Sequence, residues 1–263
     1  MNNETESFSI LRLTEKGSSS IEAEVAREFP LTIVLNNQEL VTLLCSPADL
    51  RYLAVGFLFS EGFLRNRDEI KKITVDEERG VVRVETAEDK EFTKDVLFKR
   101  IISSGCGRGA SFYSAADVTS QKVDSQVKIS ASEIFMLVNE FQHSSEVYLA
   151  THGVHSAALC DNKNILVFNN DIGRHNAIDK IVGKCLLEDI LTNDRIIITS
   201  GRISSEVLHK VAKRGIPIII SISAPTSLGV KIADNLGITL VGFVRGKSMN
   251  VYTHAWRIAT DGR

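Results

Sequence analysis

RIIITSGRISSEVLHKVAKRGIPIIISISAPTSLGVKIADNLGITLVGFV, residues 195–244, alternates short Ile/Val-rich runs with amphipathic segments. The spacing predicts a strand over 195–199, a helix over 203–214, a strand over 217–221, a helix over 225–236 and a strand over 238–244. Short β-branched strands alternating with helices of about a dozen residues indicate βαβ units, and so a layered α/β domain.

The same pattern extends outward. Residues 131–142 read as a helix, and 146–159 and 165–169 as strands. Ala177, Ile178, Ile181, Val182, Cys185 and Leu186 share one helical face. Residues 251–254 offer a further edge strand. Toward the N-terminus the first twenty residues read as frayed. Runs over 19–28 and 31–35 precede Asn36-Asn37, a hairpin turn, with 38–44 as the return strand. A helix is expected to start with Ser46 as its cap, Pro47 in first position and Asp49 in third. Its apolar face is Leu50, Leu53, Ala54, Phe57 and Leu58, and Gly62 can end it. Residues 73–75 and 81–85 alternate as a second hairpin, and the polar stretch 114–128 reads as a connection. The expected architecture is therefore α/β (α+β overall). A β-rich N-terminal domain with one helix spans residues 1–125, and a layered α/β domain spans 126–263.

Composition narrows the function classes. Of 263 residues, 43% are hydrophobic and 24% charged, as in ordinary soluble domains. A net charge of −2 argues against a nucleic-acid binder, and 6% aromatics argue against stacking platforms for single strands. The charge is uneven. Residues 190–263 carry ten Lys/Arg against four Asp/Glu, while residues 1–189 carry 21 against 29. A cationic C-terminal part suits a small anionic ligand. No apolar run reaches membrane-spanning length, and the polar N-terminus lacks the order of a signal peptide, so no membrane and a cytoplasmic location are expected. Cys45, Cys106, Cys160 and Cys185 are too widely spaced for a Cys-x-x-Cys pair or a disulfide framework.

Three strand-to-helix junctions share one design: Asp171-Ile172-Gly173-Arg174-His175, Ser200-Gly201-Arg202 and Ser223-Ala224-Pro225-Thr226. Each sets helix-start N–H groups at the carboxyl end of a strand, where open α/β sheets bind ligands and helix N-termini favour anions. Asp171, Ser200 and Ser223 could equally be helix caps. Phe243-Val244-Arg245-Gly246-Lys247-Ser248 reads either as a cationic ligand loop or as a β-turn with solvated charges. Cys106 lies among Gly105, Gly107 and Gly109 beside Arg108, and a neighbouring guanidinium favours the thiolate. The residues alone leave it open between a reactive thiol and a bystander. Cys45 and Cys185 fall on apolar patterns, while Cys160, at a strand end, is undecided. His152 and His155 are spaced as His-x-x-His without a cysteine pair or a His-Glu-x-x-His motif, so zinc has weak support, and the two could equally orient a ligand or satisfy backbone carbonyls. His175, in the first turn of a helix, is expected to be biased toward neutrality.

Taken together, Gly153–Ala158, Asp171–Lys180, Ser200–Glu206, Ser223–Leu228 and Gly242–Gly246 resemble, in order, the FdhD family of sulfurtransferases required for formate dehydrogenase activity. The resemblance implies a cytidine-deaminase-like fold for the C-terminal domain. It also implies sulfur transfer, as a persulfide, from a cysteine desulfurase to the molybdenum cofactor, bis-molybdopterin guanine dinucleotide, before that cofactor enters formate dehydrogenase. Cys106 matches the first cysteine of the family's Cys-x-x-Cys loop, and Phe243, Val244, Arg245, Gly246, Lys247 and Ser248 match its cofactor-binding segment. The resemblance further implies a homodimer with no metal of its own. Gly109 stands where the family has its second cysteine. The deaminase zinc signature is missing, so the scaffold is expected without deaminase activity. The alternative is a cofactor chaperone that binds without covalent chemistry.

Overall fold

In the computed structural model the protein is described over residues 4–87, 101–102, 110–111 and 122–259. In chain order its elements are β1 (Thr5–Thr14), β2 (Gly17–Ala26), β3 (Phe29–Leu35), β4 (Gln38–Cys45), α1 (Leu50–Ser60), β5 (Ile70–Asp76) and β6 (Val81–Thr86). The short strands β7 (Ile101–Ile102), β8 (Ala110–Ser111) and β9 (Ile129–Ser130) follow, then α2 (Ala131–His143), α3 (Glu146–Thr151), β10 (His155–Cys160) and β11 (Ile165–Asp171). The rest are α4 (Arg174–Leu187), β12 (Ile196–Thr199), α5 (Ser205–Lys213), β13 (Ile218–Ser221), α6 (Ser227–Leu236), β14 (Thr239–Arg245), β15 (Ser248–Thr253) and β16 (Ile258–Ala259).

The Ile-rich runs form the centre of a six-stranded mixed sheet, ordered β11-β10-β12-β13-β14-β15. β12, β13 and β14 are parallel, with Ile197 opposite Ile219 and Ile219 opposite Leu240. Strand alternation splits the side chains between two apolar clusters. Ile197, Ile219 and Leu240 join helices α1, α4, α5 and α6 on one face. Ile196, Ile198, Ile218, Ile220 and Val241 join Ile134, Leu137 and Phe141 of α2 on the other. A strand buried on both faces reads as a continuous apolar run, which is why these segments show no polar alternation.

The first cluster continues into a four-stranded sheet ordered β4-β3-β6-β5 through Leu31, Ile33, Leu35, Val82 and Val84. Both hairpins expected in this half are present, and β3 and β6 join them as a parallel pair. Positive φ at both Asn36 and Asn37 is what a type I′ turn requires, and asparagine tolerates it. α1 crosses α4 at close range because both carry glycine there. A Cβ on Gly56 would overlap the Asp179 carbonyl, and one on Gly183 the Tyr52 carbonyl.

Four local expectations are corrected. Residues 5–26 are not frayed: β1 and β2 form a ten-pair antiparallel ribbon, its strands alternating apolar and polar residues. α1 begins at Leu50, with Asp49 as a left-handed N-cap that makes no side-chain cap bond, because Ser46 is committed elsewhere. Residues 146–151 are a helix rather than the start of a strand. Ser145 caps it through the Tyr148 N–H, and His152 ends it in a left-handed conformation. Helices α5 and α6 start two residues later than the apolar pattern implies, since Ile203 and Pro225 pair with each other as a β-bridge.

Candidate functional site at the carboxyl edge of the sheet

β11, β12, β13 and β14 all run the same way, so their carboxyl ends share one edge of the sheet. β10 and β15 run oppositely and start there, at His155 and Ser248. α4, α5 and α6 begin directly after β11, β12 and β13, which puts three helix N-termini on that edge. The caps are Gly173, Ser204 and Thr226. Asp171, Ser200 and Ser223 are therefore not the N-caps of these helices.

Asp171 anchors one end of the row. Its carboxylate meets the Lys180 ammonium at 2.8 Å, both side chains fully buried. It also accepts the Ser46 N–H at 3.1 Å, the Gly173 N–H at 2.9 Å and the Asn176 side-chain amide at 2.9 Å. Lys180 donates further to the Asn170 carbonyl at 3.1 Å. A buried ion pair is tolerated only when its remaining donors and acceptors are satisfied, and here they largely are. The Ser46 hydroxyl accepts the Ile172 N–H at 3.2 Å, tying the segment after β4 to the start of α4.

His155 stands beside this cluster. Its Nδ1 is 3.1 Å from the Ser200 hydroxyl, which also accepts the Ser156 N–H at 2.9 Å. Burial, then the Arg174 charge, push His155 below its ordinary pKa, with Asp171 opposing. The stem of Arg174 lies on Gly201, where a Cβ would be 2.7 Å from Arg174 Cβ and 2.9 Å from Cδ. Glycine at 201 is what lets this guanidinium stem cross the edge. Next to it, burial followed by the charges of Lys210 and Arg174 pushes His175 down to about 3. The ring is neutral as expected, with burial rather than the helix dipole as the main cause. Its Nε2 lies 3.2 Å from Glu206, whose carboxyl is raised by burial.

The other end of the row is an exposed hairpin. The ends of β12, β13 and β14 are linked by the Ser221 hydroxyl donating to the Gly201 carbonyl at 2.8 Å and the Phe243 N–H donating to the Ser223 carbonyl at 3.1 Å. β14 and β15 pair with a register shift between Gly242 and Arg245, and Phe243 there has φ +55°. The turn is Gly246-Lys247 between Arg245 and Ser248, with positive φ at Gly246, as a type II′ turn requires of its first central residue. Phe243–Ser248 is thus two strand ends and a tight turn, not a free loop. Phe243, Arg245, Gly246, Lys247 and Ser248 are exposed, while the Val244 side chain is packed in the second apolar cluster. The Arg245 guanidinium lies 5.7 Å from the Phe243 ring centroid.

Three cysteines are locked away. Cys45, Cys160 and Cys185 are buried, and burial pushes their thiols up to about 12, 12 and 11. Cys160 sits in the second apolar cluster. Cys106 and its glycines, with Gly109, lie outside the described residues. Among the described residues no three His, Cys, Asp or Glu side chains converge as metal ligands, and His152 and His155 are engaged separately as above. A cleft of about 720 Å³ lies near the amino ends of β12 and β13, lined by residues such as Lys122, Asn193 and Gly215, away from the carboxyl edge. No helix among the described residues is long and apolar enough to cross a membrane.

The FdhD/NarQ family pattern matches residues 26–259. The chain belongs to this family. Among its FdhD relatives, the sulfur carrier protein FdhD of Bacillus pumilus is 49% identical over 236 residues, covering 89% of this chain and 90% of the relative. The protein of that name from Bacillus subtilis is 48% identical over 246 residues, covering 91% and 92%. A crystal structure of a proposed formate dehydrogenase accessory protein from Desulfotalea psychrophila superimposes with a TM-score of 0.81 at 29% identity, over 97% of this chain and 99% of that one. The mixed α/β architecture is therefore that of an FdhD-type protein. Within it, sequence reasoning missed Ser46 and gave no separate role to Lys180. Lys180 was detectable as a cation set between the apolar positions of its helix, whereas Ser46 looked like an ordinary cap.

Proposed function

We propose that the protein is a sulfur carrier serving formate dehydrogenase. It is a sulfurtransferase that takes sulfane sulfur from a cysteine desulfurase onto Cys106 and delivers it to bis-molybdopterin guanine dinucleotide as substrate. The observation that carries this reading is elimination among the thiols. The chain has four cysteines. Three are buried with strongly raised pKa values, which suppresses the thiolate that sulfur transfer needs. Loading then follows ordinary thiol exchange. The Cys106 thiolate attacks the outer sulfur of the donor persulfide, a new S–S bond forms as the donor's S–S bond breaks, and the donor cysteine leaves as a thiolate. No external oxidant is consumed, because the sulfane sulfur keeps its oxidation level.

The carboxyl edge supplies the place for a large anionic substrate. Arg245 and Lys247 offer exposed cations on the β14–β15 turn, three helix N-termini face the same edge, and His155 stands half-buried beside it against Ser200. Phe243, Gly246 and Ser248 complete that turn, with Val244 contributing through its backbone. The relatives' name, sulfur carrier protein FdhD, agrees with this reading.

One observation favours a second reading, a chaperone that holds the cofactor without covalent chemistry. Gly109 removes the second loop thiol, and Cys160, inside its apolar cluster, is no substitute. Maturation of formate dehydrogenase by Cys106→Ala separates the two. Loss of maturation with GDP binding intact supports the carrier; full maturation supports the chaperone.

A further inference from the structure

The cleft near the amino ends of β12 and β13 stands apart from the carboxyl edge. α5 separates the two: Ser205 starts it at the edge and Lys213 ends it at the cleft, about 13 Å away over its nine residues. The cleft has a volume of about 720 Å³, within the range of small-molecule pockets. Three cations, Lys122, Lys213 and Arg214, line it with one carboxylate, Asp124. Its wall is fixed by the fold. The Thr192 hydroxyl donates to the Arg214 carbonyl at 2.5 Å, Gly215 turns the chain at φ +65°, and a Cβ there would stand 3.4 Å from the Asn193 side-chain oxygen.

Arg214 is the group without a match. Its side chain is half-buried. Nη2 donates to the Ile190 carbonyl at 3.2 Å, Nε is buried without an acceptor, and the guanidinium carbon lies 5.6 Å from the Phe59 ring centroid. None of these partners supplies a full negative charge. Burial lowers the Arg214 pKa, and what opposes that shift is the Cys185 thiol, itself pushed up to about 11 and so neutral near pH 7. A half-buried cation without a counter-charge is costly, and an anion in the cleft offsets that cost.

We infer that this cleft is a second ligand site, which takes a small phosphate monoester with its phosphate held by Arg214, Lys213 and Lys122. Charge selects the class. The lining carries three positive charges against one negative, a surplus of two. A phosphate monoester carries about −1.5 to −2 near pH 7, whereas a carboxylate carries a single charge. The planar fork of arginine suits an oxyanion, and lysines add point charges. Lys213 donates to the Ser60 carbonyl at 2.6 Å, which uses one of the three protons of its ammonium. Size selects a small organic molecule, because the cleft holds more than a lone inorganic phosphate fills. Asn193 and Asp124, both exposed, offer acceptors and an amide donor to the hydroxyls of its organic part. Nothing in this site depends on Cys106, so it is separate from sulfur carriage.

The test is an NMR titration of the isotope-labelled full chain with glycerol phosphate, inorganic phosphate and acetate, a readout independent of sulfur transfer. Glycerol phosphate is expected to shift the amides of Lys122, Asn193 and Gly215 saturably, with a dissociation constant of about 1 mM or below. Inorganic phosphate is expected to shift the same amides, and acetate to bind about 10-fold more weakly than phosphate. Arg214→Gln is expected to weaken glycerol phosphate binding by about 10-fold or more, the effect of losing a charged hydrogen bond. Because Arg214 is half-buried, Lys122→Gln at an exposed position serves as the second variant, with an expected weakening of about 2- to 5-fold and an unchanged fold. Arg245→Ala, at the other edge, is expected to leave the shifts in place. Shifts that grow without saturating, shifts that saturate only over residues 243–248, or full affinity in both Arg214→Gln and Lys122→Gln would overturn the inference. Acetate binding as tightly as phosphate would overturn the assignment to a phosphate monoester.

Discussion

The two ends of the carboxyl edge are built on opposite plans. At the β11 end, Asp171 and Lys180 are buried, hydrogen-bonded to backbone and side chains, and held by α4 packed against α1. At the β14 end, Arg245, Gly246, Lys247 and Ser248 stand in solvent on a tight turn. The first end is a foundation, in which a lost group leaves a buried partner unmatched. The second is a display, in which a lost group costs the fold little and a ligand much. A dense motif and a cationic turn can thus serve one site while answering to different physical demands.

The largest expected effect lies beneath the foundation. Gly183→Ala puts a methyl group into the Tyr52 carbonyl and is expected to destabilise by about 3 kcal/mol or more, measured by urea unfolding. A fully stable variant would break the claim that α4 is positioned by this crossing. Next, Lys180→Met leaves the Asp171 carboxylate buried without its cation and is expected to cost about 3–5 kcal/mol. Replacing both partners by apolar residues should cost less than that single change; a larger cost would show that the pair stabilises outright.

The display end should respond in the opposite sense. Arg245→Ala is expected to stay within about 0.5 kcal/mol of the parent in stability. Its affinity for GDP, a probe for the guanine dinucleotide, should fall by about 1.5–3 kcal/mol in calorimetry, the scale of a charged hydrogen bond. Unchanged affinity would remove the turn from the ligand site. The last effect is gradual and concerns pH. The His175 pKa falls from 6.5 to about 3 on folding, so between those values the unfolded chain binds a proton that the native one does not. Stability should therefore fall as pH drops below about 6.5, by up to about 1.4 kcal/mol per pH unit for this group. His155 and His209, also lowered, act in the same direction, and Glu206, raised, acts against it. His175→Gln should flatten the acid limb of the stability curve, and an unaltered limb would contradict the assignment.

Legibility in the sequence follows the same division. The runs around Ile197 and Ile219 announced buried parallel strands because β-branched residues on both faces have few other uses. Asn36-Asn37 announced its turn because positive φ needs such residues. Ser46 was misread because a serine before a proline looks like a cap, while its actual partners, Asp171 and Ile172, are about 125 residues away. Glu146–Thr151 was misread because a helix of six residues has too short a period to separate from a strand. The ribbon of residues 5–26 alternates apolar and polar residues, yet its polar composition hid it. At the site, the strand-end junctions were readable as chemistry-bearing, but which hydroxyl meets which nitrogen depends on register between strands.

Sulfur carriage by Cys106 is tested most directly by mass spectrometry of the protein after incubation with a cysteine desulfurase and cysteine. The expected result is an addition of about 32 Da, one sulfur atom, on the peptide containing Cys106, removed by reductant. Addition on Cys45, Cys160 or Cys185 instead, or no addition while formate dehydrogenase still matures, would contradict it.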